Sequence, residues 1–152
     1  MLFDKFAKTS REVVEAAYQE ARAAGSPTIE AEHLLLALTR DPEMADLLGI
    51  DHDGLADALD VEFAAALDVV GVSADTYGLP PASPSTKQAM GTSGKLALER
   101  AIKLAAMRRD KRLEPAHLVL AVVKAEHGTV PRALALAGID RTAVADRVAA
   151  TL

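Results

Sequence analysis

The chain is built from two copies of one sequence unit, and this repeat limits the folds open to it more than any single motif does. Residues 29–40 align without a gap on residues 113–124, so that His33 falls on His117. Apolar residues at helical spacing precede both segments. The repeat predicts two equivalent structural units that share one core.

The alignment continues beyond those segments with one change of register. Gly49-Ile50-Asp51 matches Gly138-Ile139-Asp140, but the distance from the aligned histidine is five residues longer in the second copy (138 − 117 = 21 against 49 − 33 = 16). We therefore predict a five-residue insertion between residues 125 and 137. Because loops absorb insertions, the repeat unit itself should be intact.

Helix start and stop signals predict eight helices, four in each repeat, and no segment alternates like a strand over a convincing length. The fold class is therefore predicted to be all-α, with two tandem four-helix repeats forming one pseudo-twofold eight-helix domain. The signals are a capping-box spacing at Thr9 and Glu12, a stop at Gly25, an N-terminus at Asp41-Pro42, caps at Asp51 and Asp140, and a cap at Thr92 or Ser93.

The domain organisation follows from the length and from one composition change. The 152 residues are about one domain's length, so we expect a single domain over 1–152 in which neither half is stable alone. Glycine, proline and serine concentrate between the repeats. This places repeat one at 3–69, a linker at 70–89 and repeat two at 90–152.

Composition excludes several classes of function. The net charge of −5 is spread along the chain, which argues against nucleic-acid binding. One basic run, Arg108, Arg109, Lys111 and Arg112, is a candidate patch, but a solvated helix end explains it better. The absence of cysteine excludes disulfides and thiolate metal sites. No apolar stretch is long enough for a signal peptide or a membrane span, so a cytoplasmic protein without a membrane partner is expected.

Motifs that would indicate catalysis or a bound metal are weak. The segment 91–95, Gly-Thr-Ser-Gly-Lys, fails the phosphate-binding-loop pattern at Ala89 and Leu96. His33 and His117 occupy equivalent first-turn positions, where a packed, hydrogen-bonded role is favoured over a metal site, and no G-x-S-x-G motif is present. The sequence therefore predicts a protein that is not an enzyme, with no catalytic residue, no cofactor and no metal.

The repeated pattern resembles the Clp N-terminal repeat domain, found at the front of ClpA- and ClpC-type protein-unfolding ATPases. The resemblance covers residues 3–150 and rests on the segment Glu32 to Leu38, the following small helix, Gly-Ile-Asp and a closing helix. It implies a non-catalytic receptor whose partners are protein substrates or adaptors and the Clp ATPase and peptidase components.

The resemblance also implies a site for phosphorylated arginine in each repeat, made from a glutamate and a threonine. Glu32 matches the glutamate of repeat one, whereas its counterpart in repeat two is Ala116. The threonine positions hold Ala7 and Gly91, so the donors that a phosphate needs are depleted. The alternative for Glu32 is a first-turn acid favoured by the helix dipole.

A second implied surface is an apolar groove, which in actinobacterial relatives accepts hydrophobic cyclic peptides. The matching residues are Phe3, Val14, Met90, Lys95 and Ile102. Met90 stands where relatives carry an aromatic ring, and methionine adapts well to varied apolar partners. Alternatively, these residues close the core between the repeats.

Two functions of different classes remain open. The first is a stand-alone adaptor, decoy or sequestering factor of the Clp system, favoured because both threonines and one glutamate are lost. The second is the excised N-terminal substrate-receptor domain of a full-length ClpC-type ATPase.

Overall fold

Eight helices make up most of the described residues, which are 6–71 and 88–152 of a computed structural model. The all-α class and the two tandem four-helix repeats are therefore confirmed. The helices are α1 Lys8–Ala23, α2 Ala31–Leu38, α3 Pro42–Leu48, α4 His52–Val69, α5 Thr92–Met107, α6 Pro115–Val123, α7 Thr129–Leu136 and α8 Arg141–Ala149. No helix in these two ranges is long and apolar enough to cross a membrane.

The two repeats are interlocked by short extended segments. Strand β1, Thr28–Ile29, pairs in parallel with strand β2, Ala89–Met90. A second pairing also crosses between the repeats, because Phe6 of repeat one forms a parallel bridge with Leu113 of repeat two. The segment before the first helix of each repeat thus pairs with the segment before the second helix of the other repeat.

The two aligned segments become the central helices α2 and α6. Every residue of α6 from Ala116 to Val123 is buried, and in α2 only Glu32 is not fully buried. A helix that is apolar all round must be covered on every side. The described part of the fold does this by placing α2 and α6 against each other and by surrounding both with the remaining helices.

Three of the predicted caps are confirmed. The carboxylates of Asp41, Asp51 and Asp140 accept hydrogen bonds from backbone N–H groups two or three residues later, at 2.8–3.3 Å. Two others are wrong. The N-cap of α1 is Ala7 and that of α5 is Gly91, and neither position makes a side-chain capping bond.

The ends of the first helices also differ between the repeats. Gly25 stops α1 with a φ of +68°, as predicted, and the N–H groups of Gly25 and Ser26 bond back to Arg22 and Ala21. At the equivalent end of α5 the left-handed residue is Arg109, with a φ of +60°. That conformation is disfavoured for a residue with a side chain.

Two larger departures from the repeat symmetry concern the lengths of elements. Helix α4 has 18 residues, whereas its counterpart α8 has 9. The five extra residues predicted in repeat two are spread over several elements and do not form one loop. The connection from α6 to α7 has five residues against three between α2 and α3, and α6, α7 and the turn before Gly138 are each one residue longer than their counterparts. The division of the chain into repeats and linker stays a prediction, and residues 72–87 of that linker lie outside the described residues.

Candidate functional site

A cleft of about 510 Å³ opens between the two repeats beside Glu32. Its lining comes from the start of α2, one face of α5, the end of α6 and the connection into α7. The polar or charged side chains along it are Glu30, Glu32, Ser93, Arg100, Glu126, His127, Thr129 and Arg132. The predicted site residue Glu32 is therefore in a recess large enough for a side chain of another protein.

Glu32 is a partly buried acid whose charge is not neutralised by a neighbour. Burial raises its pKa above the ordinary value, a hydrogen bond from its own backbone N–H offsets part of this rise, and the carboxylates of Glu30 and Glu62 raise the pKa further. Within residues 6–71 and 88–152, no basic side chain forms an ion pair with it. A cationic group entering the cleft would relieve this unfavourable charge.

Glu30 has a different environment at the same edge of the cleft. Its carboxylate accepts hydrogen bonds from the Thr28 hydroxyl at 2.7 Å and from the Ser93 hydroxyl at 2.8 Å and backbone N–H at 3.2 Å. Burial alone would raise the pKa of Glu30, but these hydrogen bonds outweigh it and the pKa is lowered. Glu30 therefore stays ionised and connects repeat one to the first turn of α5.

The glycine at the predicted threonine position of repeat two lies directly against Glu30. A Cβ built on Gly91 would overlap the carboxylate of Glu30. The carboxylate thus occupies the space that a threonine side chain would need. The loss of the hydroxyl at residue 91 is part of the packing between the two repeats.

The cations of the cleft are partly engaged by the protein. Arg132 donates to the buried carboxylate of Glu62 at 2.9 Å, which joins α7 to the extension of α4. Arg100 donates through Nη1 to the Ala121 carbonyl at 3.0 Å. His127 lies exposed on the connection between α6 and α7.

The sequence prediction missed Glu30, Arg100 and His127 as cleft residues. The signal that could have found His127 was the predicted insertion, because residues 125–128 form one wall of the cleft. Arg100 carries no signal of its own, since it lies on α5 and reaches the cleft only through the packing of that helix on α6.

The paired histidines act as helix caps. In each repeat the histidine Nδ1 accepts the backbone N–H of the glutamate three residues earlier, at 2.9 Å for both Glu30–His33 and Glu114–His117. Because Nδ1 is an acceptor, the His117 Nε2–H donates to Asp110 at 2.7 Å. No group of three or more potential metal ligands occurs in the described ranges.

The predicted apolar groove is divided in the structure. Val14 lines an open recess with Tyr18 and Ile29, and Ile29 pairs with Met90. Ile102 lines a different recess beside Leu113. Lys95 is exposed on α5, and Phe3 lies outside the described residues. A common ligand for this set stays a prediction.

The geometry of the cleft suits the binding of a cation. An unneutralised carboxylate at the base of the cleft can accept a guanidinium or ammonium group. Arg100, His127 and the Thr129 hydroxyl line the same cleft, and they provide hydrogen-bond donors for an anionic group attached to such a cation.

Comparison with protein families and solved structures supports a common fold. The Clp repeat (R) N-terminal domain family matches residues 5–97 and 90–152. The N-terminal domain of the caseinolytic protease associated chaperone ClpD from Arabidopsis thaliana superposes with a TM-score of 0.75 at 21% identity, covering 99% of this chain and 96% of that one.

A fungal domain is similar in structure as well. The Hsp104 N-terminal domain from Candida albicans has a TM-score of 0.70 at 12% identity, covering 95% of this chain and 89% of that one. At these identities the likeness concerns the fold alone. Comparison with curated proteins gives no match.

Proposed function

The chain belongs to the Clp repeat N-terminal domain family, and from this premise we propose that it is a stand-alone binding factor of the Clp machinery. Domains of this family are non-catalytic and bind substrates or adaptors of Clp ATPases. In the proposed role the chain acts in the cytoplasm as an adaptor, a decoy or a sequestering factor for those proteins.

The observation that carries the proposal is the cleft beside Glu32. Its carboxylate is partly buried, has a raised pKa, and forms no ion pair within residues 6–71 and 88–152. A buried charge without a partner is unfavourable for the fold. Such a cost is typical of a residue retained for binding, here of a basic side chain on a client protein.

The stand-alone role is supported by the asymmetry of the two repeats. Repeat two holds Ala116 in place of the glutamate and Gly91 in place of the threonine, and Gly91 is packed against Glu30. The chain thus differs from a receptor with two equivalent sites. The alternative is the N-terminal receptor domain of a full-length ClpC-type ATPase, in which the same cleft would receive substrates directly.

A reconstituted degradation assay separates these roles. The purified chain is added to a ClpC-type ATPase, its peptidase and a fluorescent protein substrate. An adaptor raises the degradation rate, whereas a decoy or sequestering factor lowers it in proportion to its concentration. An unchanged rate, together with no binding to the ATPase or substrate, would contradict the stand-alone role.

The cleft is tested by affinity capture from the host lysate with free phosphoarginine as competitor. If the cleft binds phosphorylated arginine, the competitor displaces many unrelated proteins from the wild-type chain. We expect Glu32→Gln to lose those proteins and the matched surface variant Glu99→Gln to keep them. Recovery of Clp subunits that the competitor does not displace would indicate an adaptor that binds through another surface.

The predicted groove residues extend the proposal to hydrophobic cyclic peptides. Val14, Met90 and Ile102 are partly buried and packed against the core, so an apolar ligand would have to use their exposed edges. Titration with such a peptide, comparing wild type with Met90→Glu, tests whether one ligand contacts this set.

A further inference from the structure

The connection from α5 to α6 contains the basic run of the sequence. Residues 108–112 hold four cations, Arg108, Arg109, Lys111 and Arg112, around the single acid Asp110. The aligned residues of repeat one, 24–28, are Ala-Gly-Ser-Pro-Thr and carry no charge. The repeat symmetry of the core therefore does not require these cations.

A solvated helix end accounts for only part of this run. Helix α5 ends at Met107, and Arg108 is its C-cap residue. The attraction of a cation to the helix dipole falls off within the last turn of the helix. It favours Arg108, whereas Lys111 and Arg112 lie beyond the left-handed turn at Arg109.

The acid of the run is already neutralised by its neighbours. Asp110 accepts a hydrogen bond from Nε2 of the buried His117 at 2.7 Å and forms an ion pair with Nε of Arg108 at 3.3 Å. Arg109, Lys111 and Arg112 are exposed, and they form no ion pair in the part of the chain that the structure describes. One short connection thus carries three unpaired cations in a chain of net charge −5.

Arg109 keeps a disfavoured backbone conformation on this connection. Its φ is +60°, and the aligned residue of repeat one is Gly25. The N–H groups of Arg109 and Asp110 bond back to the carbonyls of Ala106 and Ala105, at 3.0 and 2.9 Å. Backbone strain of this kind concentrates at functional sites. The backbone that carries the cations is therefore held in place before any partner binds.

A recess of about 160 Å³ lies beside Lys111 and Arg112, which both line it together with the paired Asp110. The rest of its lining is apolar and consists of Ile102, Ala105 and Ala106 of α5 and Leu113. A cavity of about 150 Å³ holds a group the size of benzene. The recess can thus take one apolar side chain of a partner.

The charges that line the recess themselves favour one kind of occupant. Unpaired Lys111 and Arg112 favour an anionic partner. A nucleic acid would use aromatic side chains for base stacking, and none is among the described residues that line the recess. Anionic membranes are bound by clusters of about four to eight cations, more than the three that are unpaired here. A protein segment supplies carboxylates for the cations and an apolar side chain for the recess.

We propose that residues 108–114 and the recess beside them bind an acidic segment of another protein, in which one leucine or phenylalanine is flanked by aspartate or glutamate. The apolar side chain fills the recess against Ala105 and Leu113. The flanking carboxylates pair with Lys111 and Arg112. This surface shares no residue with the Glu32 cleft and does not depend on the function proposed for that cleft.

The test uses a labelled acidic peptide of about ten residues with one central leucine, together with a twin in which serine replaces the leucine. Binding to the full chain is measured by fluorescence anisotropy. We expect the leucine peptide to bind at least fivefold more tightly than its twin, because only the leucine gains from burial in the recess. The affinity of both peptides should fall as salt is added.

Variants separate binding at this surface from general attraction between charges. We expect Lys111→Glu to weaken the leucine peptide at least fivefold. The matched control Lys124→Glu makes the same charge change at an exposed lysine outside the recess and should alter the affinity less than twofold. Ala106→Leu fills the recess and should remove the preference for leucine over serine. Because all three residues are exposed, the fold should be intact, which far-ultraviolet circular dichroism checks.

Four results would overturn the proposal. Equal weakening by Lys111→Glu and Lys124→Glu would mean that net charge alone holds the peptide, and equal binding of the two peptides would mean that the recess is not used. Tighter binding of a single-stranded oligonucleotide, lost in Lys111→Glu, would assign the cations to a nucleic acid. A chain that sediments as a dimer, and as a monomer after Lys111→Glu, would assign the surface to a second copy of the chain.

Discussion

At the scale of single residues, the two repeats place different residue types in the same left-handed backbone conformation. Gly25 and Arg109 both end a first helix in the left-handed region, and in both the following N–H bonds back to the last turn. Only glycine adopts that conformation without a steric cost. Arg109 is therefore a residue at which the fold can be improved.

We expect Arg109→Gly to raise the free energy of unfolding by about 0.5–1 kcal/mol, because the left-handed cost disappears. Urea denaturation measures the change. The control is Ala24→Gly, since Ala24 has a right-handed conformation and glycine there should lower stability. A loss of stability in Arg109→Gly would mean that the arginine side chain makes a larger contribution than its backbone strain removes.

Removing the negative charge of Glu32 should stabilise the fold. Because burial raises its pKa, the ionised form is disfavoured in the folded chain. The penalty is present above the folded pKa and absent below the unfolded value. We therefore expect Glu32→Gln to raise the melting temperature at pH 7, with a gain that disappears as the pH falls below about 4.

Combined with the capture experiment, this prediction distinguishes a binding residue from a structural one. If Glu32 is a binding residue, its substitution makes the chain more stable and removes ligand binding. A Glu32→Gln chain that is less stable at pH 7 would show that the carboxylate makes a favourable contact in the fold.

At the scale of helices, the sequence predicted correctly those N-caps whose hydrogen-bond partners lie in the same helix. Asp41, Asp51 and Asp140 bond to N–H groups in their own first turns, so sequence spacing alone identifies them. The predictions at Thr9 and Ser93 failed because those helix starts find their partners in the other repeat. Ser10 donates to the Leu113 carbonyl, and Ser93 contacts Glu30.

The same distinction explains what could be predicted of the cleft. Glu32 was identified because the resemblance to the Clp repeat domain implies a glutamate at that position, whereas Arg100 and Glu30 acquire their positions from packing between repeats. The length of the insertion was visible in the alignment. The place of the connection after α6 in the cleft wall depends on how the helices fold together.

The contact of Glu30 with α5 should make it more important for stability than its counterpart Glu114. Both cap a central helix, but Glu30 also accepts the Ser93 hydrogen bonds. We expect Glu30→Ala to cost about 1 kcal/mol more than Glu114→Ala at pH 7, measured by urea denaturation.

The pH dependence provides the control for this comparison. Since the pKa of Glu30 is lowered in the folded chain, its contribution is present above the unfolded pKa and lost as the pH falls through the folded value. The difference between the two variants should shrink in acid. A difference that does not change with pH would point to packing rather than to the ionised carboxylate.

At the scale of the whole molecule, the exchanged segments make each repeat incomplete without the other. The Phe6–Leu113 bridge and the β1–β2 pairing both cross between repeats, and α2 packs on α6. The all-α class and the repeat were predictable from sequence. The exchange was not, because strands of two residues leave no periodic signal.

We expect fragments 1–71 and 88–152 to be largely unfolded when separate and to regain helical structure when mixed. Each fragment alone would expose one central helix that is buried on all sides in the intact chain. Circular dichroism of the fragments and of their equimolar mixture measures this. A cooperative thermal transition in either fragment alone would contradict the prediction.

The departures from symmetry also set the valency of the molecule. The connection after α6, which forms one wall of the cleft beside Glu32, is longer than its counterpart in repeat one, and Ala116 stands at the position of Glu32 in repeat two. A receptor with two intact repeats can bridge two ligands, whereas this chain offers each ligand one place. In a calorimetric titration the cleft should saturate at one equivalent of ligand, so a single chain cannot crosslink two clients through this site.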